Sequence, residues 1–311
     1  MRTDMQTAPE KLSFQDFMEA FRAQYRYGVP GLKKMNISEQ VIHKNNRNLH
    51  GIILRLPGTR IAPVFYYEDF YDAYVHGSSI EECIRRMAAF VRDNPIPDDC
   101  LGDVFSSWEN VRERLILKLI NYKKNREQLS HIPHRIYGDM AVVTQVYLDD
   151  PKIGKGAVMV DESLIDVWSV DKEKVFDAAY ENMRRYRIRS FNLLDYDLED
   201  RPDEKDAPNI YVVSYDAPFP GAAALLRTEY LTDFARKKNT DFYVLPVSVH
   251  EFLLIEKREG MEDGLLVDML HSINSDRNLC GNMLSEEVFF LQRDKNCISY
   301  LTDGRELCVV K

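Results

Sequence analysis

The sequence predicts an α+β fold of antiparallel sheets with packed helices, arranged in two lobes. Three observations carry this. Segments of strand and helix periodicity come in blocks rather than in strict alternation, which argues against a doubly wound sheet. The links between the first predicted strands are too short for the crossovers that parallel pairing needs. The chain has 311 residues, 45% of them apolar and 29% charged, enough for a sizeable core and about two domains.

The elements follow in order. Residues 13–25 (SFQDFMEAFRAQY) predict an amphipathic helix capped by Ser13, with Phe14, Phe17, Met18 and Phe21 at spacings of three and four. Gly28, Pro30 and Gly31 break it. Ile37–His43, Gly51–Leu56 and Ile61–Tyr66 predict three short strands, separated by Asn45-Asn46 and Pro57-Gly58, hence an antiparallel meander. Ser79-Ile80-Glu81-Glu82 fits a capping box. The helix behind it has Ile80, Cys83, Ile84, Met87, Ala88 and Val91 as its apolar stripe, and it ends at Asn94, Pro95 and Pro97.

The run Leu115–Ile120 is apolar but does not declare its type. Met140–Leu148 predicts a strand with Ala157–Val160 as its partner. Two helices are expected over 161–168 and 171–186, with Trp168 as a packing anchor between them. Ile210–Tyr215 predicts a strand, Ala222–Lys237 a helix, and Phe242–Val247 with Glu251–Ile255 a strand pair. A helix over 262–274 places Leu265, Leu266, Met269, Leu270 and Ile273 on one face, and Val288–Leu291 with Ile298–Leu301 predict a last hairpin.

Residues 197–208 (DLEDRPDEKDAP) change character, with six acids, two bases and two prolines. They predict a joint or exposed loop between an N-terminal lobe over 13–196 and a C-terminal lobe over 209–311.

The formal net charge of -9 disfavours broad nucleic-acid binding, which needs a basic surface. The five cysteines (Cys83, Cys100, Cys280, Cys297 and Cys308) are odd in number and widely spaced, which disfavours a disulfide framework or a zinc knuckle. The N-terminal MRTDMQTAPEK lacks the apolar core of a signal peptide, and no apolar run approaches the roughly 20 residues that span a bilayer. The expectation is a soluble cytoplasmic protein with reduced thiols.

Candidate chemistry is sparse. His131, His134 and Asp139 offer nitrogen and oxygen donors to a divalent metal, with His250 and Glu251 as remote catalytic candidates. The competing reading is a turn into the strand that starts near residue 137, with the histidines bonded locally. Arg184, Arg185, Arg187 and Arg189 surround Tyr186 in RRYRIR and could bind an anion, a nucleotide or RNA. Lys118, Lys123, Lys124 and Arg126, with Tyr122, form a second basic group. The competing reading of both is a solvated basic surface. Gly221 with its following alanines reads as a turn into closely packed helix rather than a phosphate loop.

Several stretches together resemble a bacterial family of unknown function. They are NNRNLHGIILRLPGTRIAPVFYYEDFYDAY, LKLINYKKNREQLSHIPHRIYGDMAVV, DESLIDVW, GAAALLRTEYLTDFA, DFYVLPVSVHEFLLI and LSEEVFFLQRD. The resemblance spans most of 14–301 and implies no activity, cofactor or catalytic residue. The second half is distantly similar to another uncharacterised bacterial group. The leading expectation is a non-enzymatic interaction or regulatory protein with a protein partner and no identified cofactor. The alternatives are a metal-dependent hydrolase using the histidine and aspartate cluster, and a nucleotide or RNA binder using the arginines.

Overall fold

The structure is a computed structural model that describes residues 11–28, 32, 35–57, 62–94, 104–150, 154–195, 208–217, 219–275 and 281–310. Pro30, Gly31, Gly58, Ile61, Pro95, Pro97, Cys100, Cys280 and most of the acidic segment (197–207) lie outside the described residues. The fold is α+β with antiparallel sheets. Two compact units divide it: Met1–His43 with Asn48–Gly102, and Lys44–Arg47 with Asp103–Lys311.

The first unit holds α1 (Phe14–Gly28), β1 (Asn36–Lys44), β2 (Arg47–Arg55), β3 (Val64–Tyr66), α2 (Tyr67–Val75) and α3 (Ile80–Asp93). The strands form the expected meander in the order β1-β2-β3. Ser13 caps α1 by accepting the Asp16 N–H at 3.2 Å. Phe17 and Phe21 of α1 pack with Ile52, Leu54, Ile84 and Met87 in the unit's core.

Helix α2 was not expected. Its sequence, YEDFYDAYV, is rich in aromatic residues that favour strands. Tertiary packing overrides that preference, because Tyr67, Phe70, Tyr71 and Tyr74 fall at i, i+3, i+4 and i+7. They meet α1 rings, with Phe70 on Phe21 at 4.9 Å and Tyr74 on Phe17 at 5.1 Å.

The capping box of α3 is half built as the sequence suggests: Ser79 Oγ accepts the Glu82 N–H at 3.1 Å. Replacing Ser79 with alanine leaves that N–H without its cap and should cost about 1 kcal/mol. Urea denaturation measures this, and an unchanged midpoint would show that the cap contributes nothing.

The second unit begins with α4 (Trp108–Val111) and β4 (Leu115–Asn121). Then come α5 (Arg126–Leu129), β5 (His134–Tyr137), β6 (Met140–Asp150), β7 (Gly154–Met159), α6 (Glu162–Trp168) and α7 (Lys172–Arg184). The ambiguous run at 115 is thus a strand, paired with β6 from Leu115↔Val146 to Asn121↔Met140. Trp168 is the expected anchor: it is buried, donates from Nε1 to the Phe105 carbonyl at 2.9 Å and lies 6.5 Å from the Trp108 ring. Asp161 and Asp171 cap α6 and α7.

The chain continues through β8 (Ile188–Asn192), β9 (Ile210–Tyr215), α8 (Thr228–Lys238), β10 (Phe242–Leu245), β11 (Phe252–Glu256) and α9 (Asp263–Ser275). It ends with β12 (Phe289–Leu291), β13 (Ile298–Tyr300), β14 (Glu306–Leu307) and β15 (Val309–Val310). One sheet has the order β15-β5-β6-β4, with β7 also paired to β6, and the other has the order β14-β13-β12-β10-β11-β9-β8. The strands on either side of the acidic segment, β8 and β9, pair with each other from Ile188↔Tyr215 to Asn192↔Tyr211. That segment therefore joins two neighbours in one sheet, and the division between compact units falls near residue 102.

Two further expectations differ from the structure. The helix expected over 222–237 is a 3-10 turn at Gly221–Leu226 followed by α8, with Arg227 between them in a non-helical conformation. In α9, Leu266 and Leu270 join the sheet's core, with Met269 and Ile273 packed against it, whereas Leu265 is 65% exposed. Residues 266, 269, 270 and 273 already fill one helical arc, and Leu265 falls outside it.

Candidate anion-binding site

The RRYRIR segment is a helix end, a turn and the start of an edge strand. Helix α7 stops at Arg184, and the Arg185 and Tyr186 N–H groups close its last turn on Asn182 and Met183. Extended backbone follows, and strand alternation turns Ile188 inward while Arg187 and Arg189 stay exposed. Among the described residues β8 ends the seven-stranded sheet, with a strand neighbour on one side only.

Arg184, Arg187 and Arg189 line one concave pocket of about 380 Å³, together with Tyr186, Ser190, Arg227 and Tyr230. Arg185 does not join them. It points to Glu113 at 2.5 Å, an exposed pair in which each group reinforces the charge of the other. Arg227 was missed by sequence reasoning, since it lies about forty residues from the cluster in an apolar context. No break in the helix pattern marks it in the sequence, and only the structure separates the turn at Gly221–Leu226 from α8.

The four pocket arginines differ in how firmly they are held. Arg227 is mostly buried and bound to Glu229 at 2.6 Å. Burial opposes its charge, but the Glu229 carboxylate and the Tyr215 hydroxyl outweigh that and raise its pKa. Arg184 pairs with Glu181 at 3.4 Å and Arg189 with Asp216 at 3.5 Å, both at exposed positions. Exposed pairs of this kind contribute about 0–1 kcal/mol, so either guanidinium can turn to a ligand at little cost. The Arg187 guanidinium has no acid partner among the described residues. Its main chain is fixed nonetheless, with the carbonyl accepting the Asp216 N–H at 2.7 Å.

Aromatic packing stiffens the wall. Tyr186 meets Phe219 edge-to-face at 4.9 Å, and Phe219 also meets Tyr147 at 5.8 Å and Tyr215 at 6.1 Å. Burial pushes the Tyr215 hydroxyl up to about 12, so it stays neutral and accepts from the Arg227 guanidinium. The Tyr230 hydroxyl, also lining the pocket, donates to the Ile188 carbonyl at 3.3 Å. A concavity lined by four forked donors suits a phosphate or carboxylate group.

The other candidate residues are dispersed. The His134 Nδ1 lies 2.8 Å from the Ile132 carbonyl, a local bond within the HIPH turn. His131 is exposed, and its carbonyl accepts the Glu162 N–H. Asp139 accepts from Ser285 Oγ at 2.7 Å and from the Glu286 N–H at 2.9 Å, anchoring the loop before β12. Burial raises its pKa, partly offset by those bonds. Among the described residues no three histidine, cysteine, aspartate or glutamate side chains gather closely enough to hold a metal ion. His250 and Glu251 lie on the turn entering β11, where both N–H groups donate to Ser248 Oγ. Of the second basic group, Lys118 is separated from the rest by its position inside β4.

No helix among the described residues is long and apolar enough to cross a membrane. A family model described as a family of unknown function (DUF5688) matches residues 14–293. No curated protein and no solved structure matches the chain.

Proposed function

The chain belongs to the DUF5688 family of unknown function, and from that premise we propose that it binds a phosphate-bearing small molecule in the arginine pocket of its second unit. The observation that carries this is Arg187, which lines the pocket beside three other arginines and whose guanidinium has no acid partner among the described residues. Tyr186 and Tyr230 add aromatic walls suited to a nucleotide-like ligand. The overall charge of -9 favours a small ligand over a long nucleic acid, which would meet repulsion beyond the pocket. Ligand binding gives content to the regulatory role expected from the sequence. We place that role in the cytoplasm, supported by the free thiols of Cys83, Cys297 and Cys308, a state that reducing compartments maintain.

Calorimetric titration with pyrophosphate and with ADP tests the reading. Both should bind, more weakly as salt rises, and Arg187→Ala should weaken them at least about tenfold, as expected for loss of a charged hydrogen bond. Because Arg187 is exposed, the variant should fold normally. Equal affinity in Arg187→Ala, or no binding of either probe to the native chain at millimolar concentration, would overturn the proposal.

A further inference from the structure

Strand β4 carries a lysine in an enclosed stretch. Ile116, Leu117, Leu119 and Ile120 are buried around it, and Lys118 is only partly exposed. Side chains two apart on a strand share a face, so Lys118 stands between Ile116 and Ile120. Opposite it in the sheet is Val143, and beyond Val143 on the same face is His134 of β5. Gln145 also lies on this face, opposite Ile116. Gln145 is 7% exposed, and its Oε1 has no hydrogen-bond partner.

Among the described residues no carboxylate acts on the Lys118 charge. A buried cation without a counter-ion is costly, and the usual response is loss of the proton. Burial first, then the Lys44 ammonium, bring the amine down from 10.5 to about 8. At pH 7 such an amine is about one-tenth neutral, against well under a thousandth for an ordinary lysine. His250 is coupled to it: shielding from water and then the Lys118 charge lower the imidazole's pKa, with Glu251 pulling the other way. The titratable groups tied to the amine are therefore Lys44 and His250, with the His134 imidazole on the same sheet face and Glu251 acting on His250. A desolvated lysine beside another cation is an activated nucleophile.

We propose that Lys118 is a covalent capture site for a carbonyl compound, an aldehyde or ketone, with Gln145 as a positioning neighbour. The neutral Nζ adds to the carbonyl carbon, forming a C–N bond as the C=O π bond breaks. One amine proton passes to the oxygen, giving a carbinolamine. The C–O bond then breaks and the oxygen leaves as water with the second amine proton, leaving an imine. No oxidant or reductant is needed. The unused Gln145 acceptor receives a hydrogen bond from the carbinolamine hydroxyl. This chemistry does not depend on the arginine pocket.

Brief exposure to pyridoxal with sodium cyanoborohydride, followed by peptide mapping, tests the proposal. At pH 7 Lys118 should be labelled at least about tenfold faster than the exposed Lys155 and Lys172, with a pH midpoint near 8. Lys118→Arg should lose that label alone, and Gln145→Leu should slow labelling of Lys118 while sparing Lys172. Labelling of Lys118 no faster than that of Lys155 and Lys172, or a midpoint near 10.5, would overturn the proposal.

Discussion

Replacing Lys118 with methionine should raise the stability of the protein at pH 7 by as much as about 3 kcal/mol, the equivalent of moving an amine from 10.5 to about 8. The folded amine has the lower value, so between about pH 8 and 10.5 the unfolded chain binds more protons than the folded one. Stability of the native protein therefore rises with pH across that window. Below about 8 both states are protonated and the folded state carries the full penalty. Methionine fills a similar volume among Ile116, Ile120 and Val143 without a charge, and its advantage should shrink as pH approaches 10.5. Urea denaturation of both proteins at pH 7 and pH 10 reads this directly. A variant no more stable than the native chain at pH 7 would mean that the amine is solvated or paired, and would remove the physical basis for its reactivity. A chain that keeps a destabilising lysine in a core strand fits the general tendency of perturbed groups to mark functional sites.

Replacing Gly221 with alanine should destabilise the second unit by about 3 kcal/mol, at the upper end of the usual range for overpacking. A Cβ at this position would lie 1.9 Å from Ser214 Oγ, 2.7 Å from the Tyr215 nitrogen and 2.8 Å from the His250 carbonyl oxygen. The first contact is with a side chain that can rotate. The other two are backbone atoms, and the Tyr215 nitrogen is held by the pairing of β9 with β8 whether or not the Ser214 hydroxyl is present. The double variant Gly221→Ala with Ser214→Ala therefore should not recover the lost stability. Full recovery would show that only the hydroxyl was in the way. Because the 3-10 turn leads directly to Arg227, any partial shift that survives should also weaken anion binding in the pocket.

Much of the fold is legible in the sequence because it rests on local signals. Ser13 and Ser79 announce helix starts through hydrogen bonds to N–H groups three residues on. The Asn45-Asn46 turn fits its hairpin because Asn46 accepts a positive φ of 62°. Trp168 needs a buried place for a large ring and a partner for its N–H, and finds both. The elements left unassigned from the sequence are those where local preference and tertiary packing disagree. Helix α2 has strand-forming residues held in a helix by aromatic contacts with α1. Strand β8 is short, carries Arg189 and follows directly on Arg187, and it is a strand because β9 supplies its partners across the acidic segment.

The candidate site divides in the same way. The cluster at 184–189 is visible as a run of arginines, but a run does not say which guanidiniums converge. Arg185 leaves for Glu113 and Arg227 arrives from the start of α8, an exchange that depends on where α7 ends and β8 begins. His131, His134 and Asp139 are close in sequence and do not act together, because His134 bonds back to Ile132 and Asp139 bonds forward to Ser285. Lys118 counted as one more member of a basic patch until the pairing of β4 with β6 enclosed it.

By itself, the sequence determined the α+β class, most helix starts, the first meander and the absence of any long apolar run. Those properties follow from periodicity and from hydrogen bonds spanning a few residues. Only the tertiary structure decided the four-arginine pocket, the burial of Lys118 and the close approach at Gly221. Each of these depends on segments tens of residues apart, and no local pattern records what a distant strand or turn will place beside a given side chain.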